Sequence, residues 1–323
     1  MSEAASPTLE SNNKLSYDGD GFDLALLMLK NFLLTALTLG IYIPWARTNF
    51  RRYLWGHTGF QGDRAQYTGS GNELFSGYLK VGFLFLVVSI IVHVVNTFSP
   101  KFIAIGFSLL SPFLYIWLFS IVLYSGYRYR VSRTSWRHIR FGVLRNHDEA
   151  KTFMRLYIKG ALLSALTLGF YYPFLRHNII EFLTRKTRLG DSPFDYSGKA
   201  VEYRNIYFKG ILLTFITFGI YGPWFFLELA QYRLAHTHFQ QARLAISVPG
   251  KTLFGYSIGS MLLNMITLGL ATPWMINWGL KILINNIRVE GSLDLTSIQN
   301  TSPQTQKTFG DSAVEAFDID IGL

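Results

Sequence analysis

The chain of 323 residues contains no cysteine, which excludes disulfides, thiolate nucleophiles and Cys-ligated metals. Charge is scarce as well. Only 15% of residues are charged, against roughly 25% in an average soluble protein. A soluble surface of this size needs more, so lipid is expected as part of the solvent. The first 21 residues carry neither a basic stretch nor an apolar core. No cleaved secretory signal is therefore expected, and insertion is expected to use the mature helices. There is also no GxxxxGK[ST] loop, no GxGxxG after a strand, no HExxH and no GxSxG. An enzyme is thus the disfavoured class, with no catalytic residue, metal or cofactor expected.

What is present points the same way. Aromatic residues make up 16% of the chain and the net charge is +10. The basic residues flank apolar runs and alternate with Trp, Tyr and Phe, as in a chain lying against anionic lipid headgroups. The bilayer is therefore the expected partner, and nucleic acid is not. Uncharged runs cover residues 81–100, 102–127 and 252–280, each long enough to cross about 30 Å of hydrocarbon. Runs at 31–46, 160–175 and 210–227 are shorter and suit tilted or re-entrant helices. Counted conventionally this gives about six spans, within a range of five to eight.

Internal similarity is the most informative feature. LLTALTLGIYIPWA from Leu33, LLSALTLGFYYPFL from Leu162, LLTFITFGIYGPWF from Leu212 and LLNMITLGLATPWM from Leu262 align without gaps. Each places a glycine four residues before a proline: Gly40 and Pro44, Gly169 and Pro173, Gly219 and Pro223, Gly269 and Pro273. That pair interrupts helical hydrogen bonding, and the small residues before it allow close helix approach in lipid. Trp45, Trp224 and Trp274, with Tyr42 and Tyr221, suit interface anchors. Beyond each break a polar arm leads to an alternating stretch ending in glycine, read as a short strand and turn. Residues 67–141 form an expanded copy in which both arms can cross.

The expectation is an all-α, multi-pass bundle of about five repeated broken-helix units with short β-strands or turns between them. The copies lie near 17–66, 67–141, 142–195, 196–245 and 246–295 of a membrane domain at 16–295. Residues 1–15 and 296–323 are expected to be disordered polar tails. The pattern YxGxG, then LLTALTLGIYIPWARTNFRRYLWGHTGF, then YTGSGNELFSGYLK resembles the YjgN family of bacterial inner-membrane proteins. The resemblance is closest over residues 15–80. It implies a multi-pass protein of the bacterial inner membrane and supplies no reaction, ligand or catalytic residue.

Two topologies compete. If every run crosses once, Lys and Arg divide 16 against 12 between the two sides, which hardly satisfies the positive-inside rule. If each unit is a hairpin returning to its starting side, nearly all basic residues share that side, and the strands ending at Gly69, Gly142 and Gly198 could pair. Candidate intramembrane polar residues are His93 and Asn96, Glu228 as a cation or proton site or a partner of Arg233, and Arg47 and Arg176 just past their prolines. Two function classes lead. One is a transporter or channel for a small solute or ion; the other is a non-catalytic scaffold or envelope-assembly protein binding partners through basic loops. A polar cavity between the broken helices would favour the first.

Overall fold

The computed structural model describes residues 13–143, 147–294 and 298; most of both expected tails lies outside them. Five helical hairpins leave a sheet and return to it. The first is β1 (Leu15–Tyr17), α1 (Gly21–Leu37), α2 (Ile43–Gly56) and β2 (Thr58–Phe60). The second is β3 (Asp63–Tyr67), α3 (Gly71–Phe98), α4 (Lys101–Ser132) and β4 (Thr134–Trp136). The third is β5 (Ile139–Val143), α5 (His147–Leu166), α6 (Tyr172–Lys186) and β6 (Thr187–Leu189). The fourth is β7 (Ser192–Tyr196), α7 (Ala200–Ile216), α8 (Gly222–Ala235) and β8 (Thr237–Phe239). The fifth is β9 (Ala242–Ile246), α9 (Gly250–Ile266), α10 (Thr272–Ile284) and β10 (Ile287–Glu290).

The all-α expectation is corrected here. The ten strands pair antiparallel in chain order, β1 to β10, and a bridge between Lys14 and Arg288 brings the two ends together into a nearly closed barrel. The strands were expected but not their closure into one ring: each is only three to five residues long, and one of its two partners lies a whole helical hairpin away. The count of six crossing helices is corrected as well. Among the described residues only α3 and α4 are long and apolar enough to cross a membrane, and little of their apolar stretches is buried within the protein. Residues 252–280, expected to cross, divide into α9 and α10.

Local chemistry explains the architecture. Within each hairpin the strand before the first helix pairs with the strand after the second, as β1 does with β2 and β7 with β8. Both ends of a hairpin therefore lie on the same side. Neighbouring hairpins join through tight turns such as Gln61-Gly62, both at positive φ, the conformation that matches strand twist. The YxG motif brings a glycine under a tyrosine ring: a Cβ on Gly69 would lie 2.7 Å from Tyr67. Ring closure uses the same elements. Tyr17 donates from its hydroxyl to Asn277 Oδ1 at 3.0 Å, and its amide donates to Asn285 Oδ1 at 2.6 Å. The barrel interior is filled by Trp136, Leu189 and Ile298, packed against Phe60, Phe141, Phe194 and Phe239.

The helix break is a turn clamped by threonine. Thr38 Oγ1 donates to the carbonyl of Leu34 at 2.7 Å and accepts from the amide of Tyr42 at 3.0 Å. Thr167, Thr217 and Thr267 repeat both bonds. Leu39, Leu168, Phe218 and Leu268 follow at φ near 50°, and the glycine after each lies near 90°, a region glycine enters without strain. Pro44, Pro173, Pro223 and Pro273 stand in the first turn of the second helix, where a missing N–H costs nothing.

Candidate functional site

Side chains from the second helices of four hairpins converge on a cavity of about 760 Å³ above the barrel. Its cations are Arg47 and Arg51 of α2, Arg130 of α4 and Arg233 of α8. Among the described residues lining it, none is acidic; much of the wall is Phe50, Leu54, Trp55, Ile180, Leu183 and Leu234. Thr134, Thr187 and Thr237 line it at the entrances to β4, β6 and β8, and Phe141 joins it to the aromatic filling of the barrel.

The local fold sets this arrangement. Four of the second helices lead into a threonine whose hydroxyl donates to the carbonyl four residues earlier: Thr58 to Leu54, Thr134 to Arg130, Thr187 to Leu183 and Thr237 to Arg233, at 2.8–3.0 Å. Arg130 and Arg233 thus hold one register, four residues before their threonines and on the same helix face. Arg51 is buried, 9% exposed. It donates to the Tyr67 hydroxyl at 3.3 Å and lies 5.7 Å over that ring. Arg130 lies 5.8 Å over Tyr127, and Arg47 donates to the Tyr78 hydroxyl at 2.7 Å. Burial pushes the Arg233 guanidinium below its usual range; Tyr203 opposes this and the Arg176 cation adds to it. Aromatic rings soften the desolvation of these cations.

The other sequence candidates do not gather here. His93 faces outward on α3. Asn96 accepts from Ser108 Oγ at 2.9 Å across the α3–α4 hairpin. Glu228 takes Lys209 Nζ at 2.9 Å and the Tyr221 hydroxyl at 2.8 Å; pairing with Arg233 had been one of the roles expected for it. Arg176 hydrogen-bonds Tyr172 and Tyr203. Trp45 and Trp274 pack between hairpins: a Cβ on Gly71 would lie 2.3 Å from Trp45, and one on Gly21 2.7 Å from Trp274. Trp224 meets Phe254 at 6.3 Å. The grouping of Arg51, Arg130 and Arg233 was missed; the register before each threonine was the signal that could have found two of them.

A family model described as a bacterial protein of unknown function (DUF898) matches residues 12–197 and 224–316. The inner membrane protein YjgN of Salmonella typhimurium is 32% identical over 143 residues, 44% of this chain and 34% of that protein. The YjgN protein of Escherichia coli O157:H7 is 35% identical over 127 residues, 39% of this chain and 29% of its own length. That of strain K12 is 31% identical over 125 residues, again 39% and 29%. The chain thus spans about a third of the length of these curated relatives. No solved structure matches. The chain belongs to the DUF898 family, that of the inner membrane proteins YjgN, and is a membrane protein of unknown biochemical function.

Proposed function

We propose that this inner-membrane protein is built from five copies of one strand–helix–helix–strand unit, crosses the bilayer through α3 and α4, and binds an anionic amphiphile in its central cavity. The ligand class is a phosphate or carboxylate on an apolar body. One observation carries this: Arg51, Arg130 and Arg233 arrive from three hairpins at one cavity whose remaining lining is largely apolar. Guanidinium groups make charge-assisted, often bidentate bonds to such anions, and apolar walls strengthen them by excluding water. The aromatic filling below favours a binding vessel over an open channel.

Calorimetric titration of the protein in neutral detergent with dodecyl phosphate tests the reading, with dodecyl glucoside as the uncharged control. Each lost charge-assisted bond is worth about 1.5–3 kcal/mol, so Arg130→Gln and Arg233→Gln should each weaken binding tenfold or more. The control should neither bind nor compete. Unchanged affinity in the double variant, with native circular dichroism, overturns the proposal.

A further inference from the structure

Four lysines share one register on the first helix, each a residue before Asn31, Val81, Gly160 or Gly210. They are Lys30 of α1, Lys80 of α3, Lys159 of α5 and Lys209 of α7, and all four are exposed. The following residue fixes their common height. Asn31 Nδ2 donates to the carbonyl of Ala46 at 3.3 Å. A Cβ on Gly160 would lie 2.4 Å from Leu175, and one on Gly210 would lie 1.9 Å from Phe225. In these three short hairpins the lysine therefore sits one step on the sheet side of that cross-hairpin contact; in the α9–α10 hairpin Gly259 holds the place. Lys209 also pairs with Glu228 at 2.9 Å.

Beyond this level the surface turns apolar. Leu39, Leu168, Phe218 and Leu268, at the hairpin tips, are 95%, 91%, 96% and 93% exposed. From Asn31 to the end of α1 at Leu37 the helix rises about 10 Å, and the turn adds roughly 5 Å. That is half of the ~30 Å hydrocarbon thickness. From Val81 to the end of α3 at Phe98 the rise is about 26 Å, enough with its turn to reach the far side. The threonine clamp satisfies backbone groups at the short tips, as hydrocarbon requires.

We infer that these lysines form a belt that binds the anionic phospholipid headgroups of one leaflet, with the four short hairpins ending near the bilayer midplane while α3 and α4 cross. Lysine stems lie along the apolar surface and their ammonium groups reach the phosphates. The belt faces outward and is separate from the arginine cavity, so either can fail alone.

The absence of native cysteine makes the test direct. Single cysteines replace Gln61, Ser99, Leu39, Leu168, Phe218 and Leu268 in turn, and sealed membrane vesicles of both orientations are treated with a membrane-impermeant maleimide. Gln61→Cys should label from one side and Ser99→Cys from the other. The four tip cysteines should label from neither until the membrane is dissolved. Labelling of the short tips from the Ser99 side overturns the depth assignment. For the belt, protein reconstituted with equal phosphatidylglycerol and phosphatidylcholine is isolated with its retained lipid. The native chain should enrich phosphatidylglycerol several-fold, and Lys30→Gln, Lys80→Gln and Lys159→Gln together should abolish the enrichment. Unchanged enrichment overturns the belt.

Discussion

The long hairpin and the four short ones stand on the same base and end in opposite ways. Below the lysine level each first helix leaves a strand of the sheet, and each second helix returns to it. At the tips they part. The long hairpin turns through Ser99 and Pro100 into Lys101, with extended backbone and no side-chain cap on α4. The short hairpins turn through a threonine that ties the last carbonyls of one helix to the first amide of the next. Water can satisfy the polar groups of an open turn; hydrocarbon cannot. On the depth assignment inferred above, tip chemistry follows depth: one turn suits water beyond the bilayer, and four suit its interior.

A charge placed at the two kinds of tip should separate them most. Leu168→Lys puts an ammonium at the proposed midplane, which costs about 3 kcal/mol on insertion scales. Ser99→Lys adds a charge beside Lys101 in water and should stay within about 0.5 kcal/mol. Unfolding in mixed micelles measures both, and equal losses would break the distinction. A smaller contrast tests the clamp itself. Thr217→Val keeps the shape but strands the amide of Tyr221 and removes the hydroxyl bond to the Leu213 carbonyl, at about 1–3 kcal/mol for an unsatisfied group. Ser99→Ala should leave stability unchanged. If Thr217→Val is also silent, water reaches the short tips.

The sequence made the break visible and its chemistry obscure. The repeated glycine and proline marked a turn at Gly40 and Pro44, yet Thr38 reads equally as a small packing residue until its two hydrogen bonds are seen. The same motif at Thr267 and Gly269 already argued against one continuous helix over 252–280; counting uncharged residues ignores a turn made of apolar ones. The barrel was harder to foresee, because its strands are short and every second pairing spans a whole hairpin. The cavity was hardest. Arg51, Arg130 and Arg233 are far apart in the chain and meet only when the helices surround a common centre. Glu228 shows the same limit: its partner, Lys209, lies on the facing helix, while Arg233 is merely near in sequence.

The smallest expected effect compares the two bases. Asp20 caps α1, accepting from the amides of Phe22 at 2.7 Å and Asp23 at 3.2 Å, and Ser70 holds the equivalent place on α3 in a capping box with Glu73. The amides of Asp23 and Phe22 hold the Asp20 carboxyl below its ordinary value of 3.8. The stability it supplies is therefore complete above that value and is lost as the pH falls through the lower, folded one. The serine hydroxyl has no such proton to gain. Protection of the Phe22 and Asp23 amides from hydrogen exchange should accordingly weaken below about pH 4, in step with a fading cap. Asp20→Ser should flatten that dependence while leaving protection at neutral pH nearly unchanged. A native-like acid response in Asp20→Ser would assign the effect to another carboxylate at the base of the ring.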